Sequence, residues 1–277
     1  MRSAYRVGLA FLLTVPSSGF PFSRKWRTDA FEIYTSAPPA ALLVIRGDGK
    51  RAGADPARPM SSVGVGTVLN EFPLADVEQV NTATDEADGT RTPGPSTLWN
   101  VTVMDESPAV YQVQLRGLAE GLGELGIALA IRPRTSTSYE PHLKMETFLA
   151  AGAVREFIVS SDRTARAVRI SRVVKENDLS QSVTIGCGMG LIESEGVCQS
   201  LKSKASSVAR SLKRGNRHAA AGEIEAFLHE LDSQAGKHVR EPALTILREE
   251  AEALLNPPPP MASTGRRGAG TTAQPAK

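Results

Sequence analysis

Through the middle of this chain apolar and polar residues alternate one for one, and beyond residue 200 the spacing changes to threes and fours. The first pattern belongs to strands and the second to helices, so the chain divides into a strand-rich region and a helical one. Tyr111, Val113 and Leu115 alternate with Gln112, Gln114 and Arg116; Leu125, Ile127, Leu129 and Ile131 alternate with Gly126, Ala128 and Ala130. Alternation of this kind buries one face of a strand and wets the other. Leu98 to Met104, Phe157 to Val159 and Ala165 to Val174 read the same way, while the unbroken apolar run Ala40 to Ile45 reads as a strand covered on both faces. Turn formers stand between them at Gly47-Asp48-Gly49, Asp88-Gly89, Pro93-Gly94-Pro95 and Ser161-Asp162-Arg163. Many short strands with no long helix among them predict a sandwich of antiparallel sheets over about 29–177.

From 201 to 255 the period is helical. Leu201, Ala205, Val208 and Leu212 form one apolar stripe, and Gly215-Asn216 closes that helix and opens the next, because glycine reaches the left-handed conformation a helix end needs and asparagine accepts from free first-turn amides. Ala220, Ile224, Phe227, Leu228 and Leu231 form the widest apolar face. This second helix is therefore the expected centre of the unit, with Phe227 as its anchor, and losing Phe227 is expected to unfold the unit and spare the strands. Gly236 ends it. Pro242 suits the first turn of a third helix, along which Leu244, Leu247, Ala251 and Leu254 align. The expected helical core is Leu212, Ile224, Phe227, Leu228, Leu231 and Leu247. Three helices of this size bury little surface, so the unit is expected to lean on something else.

Gly215-Asn216, the run Ala219 to Ala221, Ala226-Phe227-Leu228, Gln234, Gly236-Lys237 and the closing Ala253-Leu254-Leu255 occur in an order that resembles the FIMAH domain. The resemblance covers about a fifth of the chain. It implies a small helical module at the C-terminal end of a secreted bacterial protein, with no activity of its own assigned. Leu228 departs from the Phe-Ile pair of the family motif. The preceding region resembles β-sandwich modules of bacterial exported multidomain proteins: Pro39 to Val44, then Gly49-Lys50-Arg51, Gly53, Asp55-Pro56 and Asn70-Glu71-Phe72-Pro73, followed by the hairpin Tyr111 to Gly117 and Gly123 to Ile131. Arg46 stands where that pattern has its first aspartate.

At the N-terminal end, Arg2 and Arg6 precede an apolar run from Val7 to Val15 and the small residues Ser17, Ser18 and Gly19, the pattern of an export signal over residues 1–19. The run is shorter than the roughly 20 residues a membrane-spanning helix needs. A buried N-terminal strand or an over-extended reading frame is the alternative. At the C-terminal end, 257–277 is rich in proline, glycine, serine, threonine and arginine and is expected to be disordered. Between the two regions, 178–200 reads as a linker holding the two cysteines, Cys187 and Cys198. In an exported chain these read as a disulfide. Zinc would need further Cys or His at short spacing, and two buried thiols remain if export fails.

Composition narrows the function classes. The 277 residues are 41% apolar, enough for a core, and the 32 cationic and 30 anionic side chains are interspersed, leaving a net charge of +2 without a broad footprint for nucleic acid. The most basic stretch, Lys202 to Arg217, reads as the solvated face of a helix. Catalytic patterns are sparse. His142 beside Glu140 has no nucleophile motif to serve, Gly64-Val65-Gly66 lacks the rest of a nucleotide loop, and Lys50 and Arg51 stand where a calcium loop at Asp48 or Asp55 would need oxygen ligands. Asn100-Val101-Thr102 fits a glycosylation sequon inside a strand. The reading is a non-enzymatic exported binding or structural module, secreted, periplasmic or on the cell surface. It calls for no cofactor, metal, nucleic-acid partner or membrane span, and it leaves the partner open between an extracellular protein and a glycan. A hydrolase with a site in the sandwich loops, or a carbohydrate-binding module, is the alternative.

Overall fold

The computed structural model describes residues 30–35, 40–57, 68–72, 75–85, 91–103, 109–130, 143–162 and 167–259. The expected signal at 1–19, most of the C-terminal tail, Gly64 to Gly66, Asp88-Gly89, Met104, Ile131 and His142 lie outside them. In chain order the strands are β1 (Ala30–Thr35), β2 (Ala40–Arg46), β3 (Arg51–Ala54), β4 (Val68–Asn70), β5 (Ala75–Asp85), β6 (Arg91–Val103), β7 (Ala109–Gly117), β8 (Gly121–Ala130), β9 (Leu143–Leu149), β10 (Val154–Asp162) and β11 (Ala167–Val173). Four helices follow: α1 (Asp178–Gly188), α2 (Glu195–Lys213), α3 (Arg217–Gln234) and α4 (Ala243–Leu255).

The strands form two antiparallel sheets, ordered β5-β6-β1-β8-β9 and β11-β10-β7-β2-β3-β4. Alternation places Ile33, Trp99, Val101, Leu125 and Ile127 of the first against Leu42, Val44, Tyr111, Val113, Leu115, Phe157 and Val159 of the second, in one buried cluster. The fold is thus a β-sandwich followed by helices. Val113 pairs with Val44 on one side and Phe157 on the other, so each apolar row crosses three strands in register.

The turn expected at Pro93-Gly94-Pro95 is not one. These residues continue β6, paired with β5 through Ala83↔Pro93. On the other side the described pairing with β1 runs from Val103 to Asn100, so among the described residues β1 does not reach Pro93 or Pro95, where a proline without an N–H is tolerated. The β2–β3 turn is a tight one: Gly49 has a positive φ of 85°, and Asp48 bonds back to Arg46 and to the amide of Lys50. Gly53, at φ 116°, is required because a Cβ there would lie 2.2 Å from the carbonyl oxygen of Leu42.

Two expectations for the helical region need correction. The stretch 178–200, read as a linker holding the two cysteines, is largely helical: it holds the whole of α1 and the first turns of α2. The helix α1 buries Leu179, Ser182, Val183 and Gly186, at helical spacing, but a serine and a glycine on that face hide it from a search for apolar residues. The second correction is the buried face of α4. Ala243, Ile246, Leu247, Glu250 and Ala251 are buried, with Leu244 and Leu254 half-buried at its margins, and Pro242 caps the helix from just outside. The apolar pattern shares Leu247 and Ala251 with this face, but it took in Leu244 and Leu254 where the structure buries Ala243, Ile246 and Glu250.

Elsewhere the helix ends follow from local chemistry. Gly215, at φ 72°, and Asn216 donate their amides back to Leu212 and Ser211, closing α2, while the Asn216 side chain accepts from the amide of Ala219 at 3.1 Å to start α3.

Candidate functional site

Of the residues expected to form the helical core, Ile224, Phe227, Leu231 and Leu247 are buried, and Leu212 and Leu228 are half-buried against them. The same cluster contains Phe148 of β9, fully buried, with Leu122 of β8 and Ala150 at its edge. The sandwich therefore supplies part of the helical core. A Cβ at Gly186 would lie 3.5 Å from the Phe148 ring, an ordinary van der Waals contact, so this face of α1 lies directly against β9. Cys187, near the end of α1, is joined by a disulfide to Cys198, in α2. This bond ties the helix on the strands to the helix behind it.

Beside Phe148 lies a buried set of charges. Arg155 faces inward from β10 and is 3% exposed; its Nε donates to the carbonyl of Phe148 at 3.0 Å, its Nη2 to Ser182 Oγ at 3.2 Å, and its Nη1 pairs with the Asp178 carboxylate. Ser182 donates in turn to Glu250 Oε1 at 2.9 Å. Arg172, on β11, lies over the Phe157 ring and donates through Nη2 to the carbonyl of Glu146 at 2.7 Å and to Glu249 at 2.8 Å; its Nη1 is 3.7 Å from Glu250 Oε1. Two arginines from one sheet thus meet three carboxylates and a serine from α1 and α4.

The electrostatics follow from burial. Glu250 is fully buried, and desolvation pushes its carboxyl above the usual glutamate range, against the opposing pull of Arg172, Arg155 and Ser182. An unpaired charge there would be costly, so each partner makes the other tolerable. Ser182 has a carboxylate neighbour, but both are completely buried and have no access to a substrate. Among the described residues His218, His229 and His238 are all exposed on the helical unit, and no three His, Cys, Asp or Glu side chains gather as a metal site.

The sandwich loops named by sequence hold ordinary turn chemistry. Arg46 donates through Nε to Asp48 at 3.0 Å, and this bond is the main reason the Asp48 carboxyl is held down to about 2. A guanidinium thus engages the carboxylate that a calcium ion would need. Asp55 accepts from the amide of Ala57 at 2.9 Å. On the outer face of the second sheet Ala41, Leu43, Ala54, Pro56, Gln114 and Arg116 line a shallow groove, so Leu43 is buried although it points away from the core.

The junction residues Arg155, Arg172, Asp178, Ser182, Glu249 and Glu250 were not found by sequence reasoning. One signal was available: Arg155 sits in phase with Phe157 and Val159, and Glu250 in phase with Ile246 and Leu247. Opposite charges in core-facing positions of separate elements mark such a pair.

A β-sandwich fused through buried ion pairs to a disulfide-tied helical unit is the class of protein that the fold and junction define. The family model of the FIMAH domain matches residues 186–256. The match takes in the end of α1, both cysteines and α2 to α4, a longer segment than the 201–255 read from the helical pattern. FIMAH is a non-catalytic domain family. No curated protein and no solved structure matches the chain.

Proposed function

We propose that this chain is an exported, non-enzymatic binding or structural module of the bacterial surface or extracellular space, made mature by loss of residues 1–19. The observation that carries this reading is the Cys187–Cys198 disulfide inside the segment matched by the FIMAH model. Disulfides of this kind persist in oxidising compartments outside the cytoplasm. The buried arginines support a structural role as well, because they hold sandwich and helical unit in one orientation and would present both surfaces to a partner as a single body. The absence of a helix long and apolar enough to cross a membrane, among the described residues, is compatible with this placement.

The test is to express the full chain in a secreting bacterial host and measure intact mass and free thiols in each fraction. Export predicts recovery outside the cytoplasm, a mass corresponding to removal of about residues 1–19, and no alkylatable cysteine. Recovery of full-length chain in the cytoplasm alone, with two reactive thiols, would overturn it. A panel of glycosidase, esterase and peptidase substrates tests the non-enzymatic part; turnover that tracks with the purified protein would refute it.

A further inference from the structure

One end of the helical unit carries an uncompensated charge. Between Glu195 and Glu223 the chain has no acidic residue but has Lys202, Lys204, Arg210, Lys213, Arg214 and Arg217. Lys204 is neutralised by Glu230, to which it is paired. Arg210, Lys213, Arg214 and Arg217 are exposed, and no described carboxylate lies within ion-pair distance of them. Six cations elsewhere, Arg46, Arg51, Lys144, Lys175, Arg240 and Arg248, each have a carboxylate partner. With a net charge of only +2 for the whole chain, this is a local asymmetry.

Helix geometry orders the four charges. Arg210 and Lys213 lie on the outward stripe of α2, opposite Leu201, Ala205 and Val208, and the Gly215 turn sets Arg214 and Arg217 on either side of the hairpin tip. Arg210 and Lys213 are about one helical turn apart along α2, Arg214 follows Lys213 directly, and Arg217 opens α3 beyond the turn. The α2–α3 hairpin packs mainly within the helical unit, whereas α1 and α4 make the principal contacts with β9 and β11, so the tip is not used by the junction.

We propose that this tip is a docking site for a linear phosphate-bearing polymer, such as a phosphodiester-linked glycan or polyol of the extracellular space; only the place of encounter rests on the export reading. Three of the four cations are arginines, whose planar forks match phosphate oxygens in pairs. Four cations spread from the last turn of α2 across the turn to the start of α3 suit a chain with repeated charges better than one small anion. A lipid surface is disfavoured because Lys213-Arg214-Gly215-Asn216-Arg217-His218 offers no apolar side chain to enter it. Single-stranded nucleic acid is disfavoured because 196–222 contains no Phe, Tyr or Trp on which bases could stack.

The experiment is binding of long-chain inorganic polyphosphate to the full chain across a salt series. Four contacts predict a slope of log affinity against log salt of about −3, falling to about −1.5 in the Arg214→Gln/Arg217→Gln variant, by analogy with counterion release from nucleic acids. Arg169→Gln, exposed on β11, should leave the slope unchanged, and unchanged circular dichroism of both variants would confirm that folding is intact. Duplex DNA, polygalacturonate and anionic vesicles serve as competitors. No binding at low salt, or an equal slope in the double variant, overturns the site. Tighter binding of polygalacturonate overturns the phosphate assignment, and tighter binding of DNA or vesicles assigns the tip to another class of partner. Failure of export would instead show in the location and thiol state of the protein.

Discussion

Glu250 carries a side chain ordinarily found at the surface, and its burial is explained by its neighbours. A glutamate in a helix is ordinarily a surface residue, yet here it is fully buried, within reach of Ser182 and Arg172. Its raised pKa, caused first by burial, has a consequence for stability. A carboxyl whose folded value exceeds its unfolded value of 4.5 contributes stability that is fully present below 4.5 and is lost as pH rises through the folded value. Glu250→Gln stays neutral throughout. The stability of the native protein relative to this variant should therefore fall as pH rises from about 4.5 toward neutrality, measured by denaturant unfolding at each pH. A difference that does not change with pH would show that Glu250 titrates alike in the folded and unfolded chain.

At the level of elements, α1 and α2 depend on a bond as well as on packing. The disulfide closes a loop with a sequence separation of 11, and the chain-entropy model assigns such a loop about 3 kcal/mol. Replacing both cysteines by serine should lower unfolding stability by about that amount, read from denaturant curves of the oxidised protein and the variant. Native circular dichroism should be kept, because Leu179, Val183 and Leu201 still bury their faces. A variant equal in stability to the parent would mean that the packing alone already restricts this loop.

For the whole molecule, the shared core decides how the parts respond together. The helical pattern predicts that Phe227→Ala unfolds the helical unit and spares the strands, but Phe148 belongs to the same cluster as Phe227, and Arg155 and Arg172 lose their partners if α1 and α4 detach. Detachment would expose Phe148 to water and break the ion pairs of Arg155 with Asp178 and of Arg172 with Glu249, so the strands lose stability together with the helices. Phe227→Ala should therefore cost about 3 to 5 kcal/mol within one cooperative transition, in which tryptophan fluorescence from buried Trp99 and far-ultraviolet circular dichroism move together. His229→Ala, at an exposed position, should stay within about 0.5 kcal/mol of the parent. Separate transitions for the two signals would show that the junction is weaker than the packing of either part.

Periodicity was enough for what depends on neighbours along the chain. The alternation at Tyr111 to Leu115 and at Leu125 to Ile127 marks the inner faces of two strands, and Ile224, Phe227 and Leu231 mark the buried face of α3, because a side chain's direction follows from the backbone repeat alone. The Gly215-Asn216 boundary was equally local, since it needs only a left-handed residue and a capping oxygen. Tertiary structure decided the rest. Pro93 to Pro95 continue a strand because β5 pairs with them; α1 is a packed helix because Phe148 of β9 joins Leu179 and Val183 in one buried cluster; Glu250 is buried because arginines from β10 and β11 approach it from a distance in sequence of about 80 to 95 residues. In each case the sign of the effect depends on a partner that arrives only when the chain folds, and no pattern within the element contains it.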